Sequence, residues 1–142
     1  TPLSIPNWKI HQIVENIGGM IVCEEMCTGN RYSEHLVDEN GKTMDEMVEN
    51  LTRRYLGSIN CACFTPNTER VEDIIRLVKE YNIDGVIDVN LKFCTLYDTE
   101  GTIVEKALKE AKIPVLGIET DYTDSDSEQL KTRIGAFIEM LS

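Results

Sequence analysis

Nowhere in the 142 residues is there an apolar run long enough to cross a bilayer; the longest, such as Met20-Ile21-Val22-Cys23, end after about one turn's length of chain. No basic, apolar, small-residue succession at the start marks a signal peptide. Basic residues are few, with 14 Lys and Arg against 25 Asp and Glu and a formal net charge of −11. Binding a nucleic-acid backbone needs clustered cations that displace phosphate counterions, and no local basic run offsets this deficit. Nucleic acid and membrane are therefore excluded as expected partners. Internal repeats, low-complexity tracts and linkers are also missing, so residues 1–142 read as one domain with one core. The sequence opens at Thr1 without a methionine, as a fragment or a processed product would.

Three familiar chemistries lack their signatures. A dinucleotide site wants a glycine-rich turn after the first strand, but Gly18-Gly19 precedes a strand and is better placed to stop a helix. A nucleophilic cysteine wants a nearby histidine, and neither His11 nor His35 stands at a spacing that ties it to a thiol. The five cysteines form no consecutive ferredoxin run, no pair of CxxC motifs and no small secreted disulfide framework. Reduced thiols in a cytoplasmic compartment, free or metal-bound, are expected instead.

What is present is the composition of a globular protein, 42% hydrophobic and 27% charged. Five segments carry apolar residues at helical spacing. They are Ile10, Ile13, Val14 and Ile17; Met44, Met47, Val48, Leu51 and Tyr55; Val71, Ile74, Ile75 and Val78; Ile103, Val104, Ala107, Leu108 and Ala111; and Leu130, Ile134, Phe137, Ile138 and Leu141. Thr43 is a candidate N-cap of the second, with Gly57 at its end. Asp126 or Ser127 is the candidate cap of the last.

Between the helices lie short β-branched runs, 20–24, 85–89 and 114–119, of the kind that strands buried on both faces have. Residues 59–63 are a weaker candidate. Strands alternating with helices predict right-handed crossovers and parallel pairing. The expected fold class is α/β, a doubly wound (Rossmann- or flavodoxin-like) three-layer domain with a mostly parallel sheet of about four strands.

In such folds the ligand crevice lies outside the carboxyl ends of the strands. The exits here hold Cys27, Cys94, and the pair Glu119 and Asp121, while a separate turn carries Cys61-Ala62-Cys63. Several thiolates on one rim suit a soft metal or, with inorganic sulfide, an iron–sulfur cluster. Small buried hydrophobes are the alternative, which spacing alone leaves open. Cys23, inside a predicted strand, reads as core. Glu119 and Asp121 are candidates for Mg²⁺ or acid–base work, or simply a solvated acidic strand exit. Arg31 and Lys92 stand beside Cys27 and Cys94 and either offset negative charge there or are ordinary surface cations.

Four segments carry a family resemblance: EEMCTGNRY, CACFTPN, VKEYNIDGVIDVNLKFC and IPVLGIETDYTDSDSEQLKTRIGAFIEML. In this order they resemble the C-terminal domain of the 2-hydroxyacyl-CoA dehydratase family, which includes benzoyl-CoA reductase subunits and the double-cubane cluster proteins. The resemblance covers nearly the whole chain. It implies that residues 1–142 are a single C-terminal cluster-binding α/β domain whose N-terminal domains are absent, with the cluster held between two related α/β domains. It also implies an ATP-hydrolysing iron–sulfur activator that delivers low-potential electrons for radical dehydration or small-molecule reduction, in an anaerobic setting. A homo- or heterodimer is implied for the parent protein.

Cys94, in KFC, matches a position where the family places a ligand, and Cys27, in E-x-x-C-x-G-x-R, is similar to another. The resemblance thus makes Cys27, Cys61, Cys63 and Cys94 the cofactor-facing thiols. Cys27, Cys94 and Cys63 are taken as the metal ligands, and the choice between Cys61 and Cys63 stays open. The surplus over three cysteines tilts the cofactor from a single [4Fe–4S] cluster toward a double cubane. Half of the ligands would come from another domain, so the isolated fragment is expected to fold without its cluster and without turnover. The alternative, from a different class, is a non-catalytic flavodoxin-like interaction or sensing module with structural cysteines. Scattered thiols favour the module; gathered thiols favour the cluster.

Overall fold

The computed structural model describes residues 8–57, 60–64 and 66–142. Two parallel strands, β1 (Val86–Leu91) and β2 (Val115–Thr120), run in register from Val86 opposite Val115 to Leu91 opposite Thr120. Helix α5 (Thr95–Glu110) joins them, as a parallel pair requires. Alternation along the strands sends side chains to opposite faces. On one face Ile87, Val89, Leu116 and Ile118 meet Ile10 and Val14 of α1 (Lys9–Asn16) and Leu130 and Ile134 of α6 (Ser127–Leu141). On the other, Val86 and Val115 meet Val104 and Leu108 of α5 and Ile74 of α4 (Thr68–Glu80). Cys94 lies at the carboxyl end of β1, where α5 begins.

The α/β class stands, but among the described residues the sheet has two strands instead of about four. Among the described residues the 20–24 run joins no ladder. Met20 and Val22 are exposed and Ile21 packs against the α1–α6 core, so the run's apolar residues are divided between water and protein. A cavity of about 690 Å³, lined by Ile21, Cys23, Ile87 and Val89 among others, separates it from β1. The weaker strand candidate at 59–63 begins at Ile59, which lies outside the described residues. Its described part is a turn closed by the Phe64 amide donating to the Cys61 carbonyl at 3.0 Å.

All five helical stripes become helices. The α1 stop is Gly18, at φ +92°, a conformation that costs a glycine nothing. The capping box that opens α3 (Met44–Leu56) is reciprocal: the Glu46 amide donates to Thr43 Oγ1 at 3.2 Å, and the Thr43 amide to Glu46 Oε2 at 3.1 Å. The α3 stripe nevertheless lies exposed, Met44, Met47, Val48, Leu51 and Tyr55 included. A short helix, α2 (Asn30–Ser33), precedes it.

Asp126 does occupy the N-cap position of α6, yet its side chain caps nothing. Its carboxylate pairs with the buried ammonium of Lys9 and accepts from Thr120 Oγ1 at 2.8 Å, fastening α6 to α1 and β2. Helix α5 starts two turns earlier than its aliphatic stripe. The residues it buries there are Tyr97, Glu100 and Gly101, the last two of which no hydrophobic count would flag.

Candidate functional site

The end of β1 turns into α5 through Lys92, Phe93 and Cys94. Phe93 adopts φ +67°, rare for a bulky residue, and its ring is 95% exposed. The Cys94 amide donates to the Leu91 carbonyl at 3.0 Å, and Cys94 becomes the N-cap residue of a 16-residue helix.

Cys27 lies on the loop before α2 and is exposed. Arg31, one turn on, donates from Nη1 to Cys27 Sγ at 3.7 Å while its Nε donates to Glu25 at 2.8 Å. Of the two cations beside cysteines, Arg31 therefore does face its sulfur. Lys92 does not: its ammonium pairs with Asp121 at 2.7 Å, bridging the two strand exits.

In the 61–63 turn, Ala62 is buried, Cys61 half-buried and Cys63 exposed. The Tyr97 hydroxyl stands 3.8 Å from Cys61 Sγ, and Asn67 Nδ2 donates to the Cys61 carbonyl at 3.0 Å. Burial pushes the Cys61 thiol up, but the Cys63 amide, the Tyr97 hydroxyl, the Cys63 thiol and the Arg31 charge outweigh it and hold it below the ordinary cysteine value. Cys63 is pushed the other way, first by its hydrogen bond with Cys61, then by the Cys61 charge, and further by Cys27 and Cys94. Burial, then Cys61, raises the Tyr97 hydroxyl to about 12, which keeps it a donor.

Cys61, Cys27 and Cys94, from three separate segments, thus all stand within electrostatic reach of the Cys63 thiol. Cys23 is apart from them, lining the cavity beside β1. Burial, and then Glu34, Glu25, Glu24 and Glu80, push its thiol up, so it stays protonated.

Soft sulfur donors with a guanidinium and a phenol aimed at two of them fit an iron–sulfur cluster. Among the described residues, no three His, Cys, Asp or Glu side chains close around a point suited to one ion. A structural zinc site needs such convergence. The thiolates of a cubane each bind a different iron, so cluster ligands stand apart by the width of the cluster.

The remaining sequence candidates find other roles. His11 stacks on Trp8, with ring centroids 4.5 Å apart, and its Nε2 meets Glu24. His35 is exposed, and its carbonyl accepts from Arg54. Asp121 is an ionised turn residue. Lys92 first, and then the Thr123 hydroxyl and amide, hold its carboxyl far below the usual range. Glu119 is exposed.

Sequence reasoning missed the polar network around the thiols: buried Arg70, Tyr97 and Glu100 with half-buried Glu25 and Asn67. A signal existed. Arg70 stands four residues before Ile74 and Glu100 four before Val104, so both put a charge on the buried stripe of a helix.

Residues 1–141 match the family described as 2-hydroxyglutaryl-CoA dehydratase, D-component. The chain is 40% identical over 134 residues, 94% of its length, to the Escherichia coli (strain K12) protein named "Putative dehydratase subunit YjiM", of which it covers 34%. It is 30% identical over 130 residues, 92% of its length, to the (R)-phenyllactyl-CoA dehydratase beta subunit of Clostridium sporogenes, again covering 34%. The chain spans about a third of the length of these curated relatives.

Proposed function

From the premise that this chain belongs to the 2-hydroxyglutaryl-CoA dehydratase D-component family, we propose that it is the C-terminal cluster-binding α/β domain of a 2-hydroxyacyl-CoA dehydratase-like enzyme. The observation that carries this reading is the gathering of Cys27, Cys61, Cys63 and Cys94 at the exit of β1, where each influences the charge of another. An iron–sulfur cluster held there would supply one-electron reduction at low potential to a bound thioester or small unsaturated substrate.

This chain's own residues prepare the site. Cys27, Cys94 and Cys63 are the proposed ligands, with Cys61 as the fourth cofactor-facing thiol. Ligation requires thiolates, and the hydrogen bonds and charge around Cys61 hold its thiol below the ordinary cysteine value. Arg31 offers the Cys27 sulfur a charge-assisted hydrogen bond, which favours extra negative charge on it.

A cubane shared with a second domain needs three thiolates. The four supplied by this domain alone favour the double-cubane type as the finer assignment. Parent-protein domains would cover the exposed α3 stripe. In the same assembly the 20–24 segment would pair with β1, extending the sheet toward the doubly wound, roughly four-stranded form. An ATP-dependent iron–sulfur activator, a dimeric parent and a reducing, anaerobic cytoplasm complete the proposal.

In the full-length protein, Cys27→Ala and Cys94→Ala are each expected to lose iron and visible absorbance. Unchanged iron in both variants overturns the reading.

A further inference from the structure

Arg70 is only 4% exposed and stands between the two loops that carry the thiols of Cys27 and Cys61. Its Nη2 donates to Glu25 Oε2 at 3.2 Å, and its Nη1 to Glu100 Oε1 at 3.2 Å. On the first side the contacts continue from Glu25 to Arg31 and from Arg31 to the Cys27 sulfur. On the second, Glu100 Oε1 accepts from Asn67 Nδ2 at 2.8 Å, and the same Nδ2 donates to the Cys61 carbonyl. The guanidinium also lies 5.7 Å from the centre of the Tyr97 ring, whose hydroxyl meets the Cys61 sulfur. One buried cation is therefore linked to both thiol loops, and to the Cys61 turn by two routes.

Stability does not account for this arrangement. Taking a guanidinium and two carboxylates out of water costs much of what their attraction returns, and well-packed apolar residues commonly do as well or better. Arg70 Nε, moreover, is buried without a hydrogen-bond partner among the described residues. What a planar guanidinium does provide is a rigid fork that holds two carboxylates at a fixed separation. A lysine, with one flexible ammonium, cannot do this.

We propose that Arg70 is a positioning residue that, by clamping Glu25 and Glu100 together, fixes the Cys27 loop relative to the Cys61 turn and aims Arg31 at the Cys27 sulfur. The proposal rests on the reading of these thiols as cluster-facing. A hydrogen bond to a ligand sulfur favours the reduced, more negative state, so the aimed Arg31 raises the reduction potential.

The test uses the full-length protein, purified without oxygen, as wild type, Arg70→Lys and Arg31→Lys, with Arg53→Lys on the exposed Arg53–Glu49 pair as control. Both site substitutions keep the charge and remove the fork. Iron content, the EPR spectrum of the reduced protein and the midpoint potential are measured, with circular dichroism to verify folding. Folded Arg70→Lys is expected to show altered EPR g-values and a potential shifted negative per cluster bound, while the control matches wild type. A folded Arg70→Lys with wild-type spectrum and potential overturns the proposal.

Should Arg70→Lys fail to fold, Arg31→Lys decides. A negative shift with iron retained supports the proposal, and an unchanged potential overturns it. Should the wild type itself hold no iron, the functional reading fails separately. In that case bifunctional maleimide cross-linking of the metal-free protein, between the Cys27 and Cys61/Cys63 peptides, reads the spacing directly. A several-fold loss of that cross-link in Arg70→Lys supports the clamp, and equal yield overturns it.

Discussion

A methyl group on Gly101 would stand 2.6 Å from Oδ2 of Asp88, so α5 crosses β1 at the point where the strand carries a buried carboxylate. Asn90 Nδ2 would be 2.8 Å away from the same methyl. A side chain here would have to displace the polar ends of Asp88 and Asn90, which share this face of β1 with Val86.

Gly101→Ala is therefore expected to destabilise the fold by about 1–3 kcal/mol through overpacking. An unobstructed helical glycine would give the opposite sign, since alanine is the better helix former by about 0.5–1 kcal/mol. Urea unfolding distinguishes the two.

Asp88 itself carries a pH signature. Burial raises its carboxyl above the ordinary range, although Arg70 and Asn90 oppose the rise. A carboxyl raised in the folded state contributes most at low pH, and its contribution is lost as pH rises through the folded value. Asp88→Asn should accordingly raise the melting temperature more at neutral pH than in the acid carboxylate range. An equal change at both would show that the carboxylate is not the burdened group.

The ion pair of Lys9 and Asp126 predicts a large loss when one partner is removed. Both side chains are nearly buried, and the carboxylate also serves Thr120. Lys9→Met leaves that charge unpaired and should cost about 3–5 kcal/mol. Lys92→Met, by contrast, opens an exposed bridge to Asp121 and should change neither stability nor cluster content measurably. An effect of Lys92→Met on iron binding would restore the idea that this cation serves Cys94.

The elements that the sequence made legible are those with an aliphatic period. The Ile10–Val14 and Leu130–Ile134–Phe137 stripes became packed helix faces, and the 85–89 and 114–119 runs became the two strands. What stayed hidden was polar and buried. Asp126 reads as a cap in any local pattern, and only the fold reveals Lys9 as its partner. Glu100 and Gly101 interrupt the apolar count, which hid the first two turns of α5. Of the thiols, only Cys94 leaves a strand of the sheet, at the end of β1; Cys27 and the Cys61–Cys63 turn sit on loops that no strand pattern placed. Their support by Arg70 could have been suspected from a charge at a buried stripe position, but its two carboxylates come from segments 45 and 30 residues away in sequence.

The most direct measurement is iron and acid-labile sulfide per chain in the full-length protein purified without oxygen, read together with the number of free thiols. A cofactor shared by Cys27, Cys63 and Cys94 requires iron and sulfide in equal or near-equal amounts, with those thiols protected from alkylation until the metal is removed. A protein without iron, whose exposed Cys27 and Cys63 react at once, would contradict it.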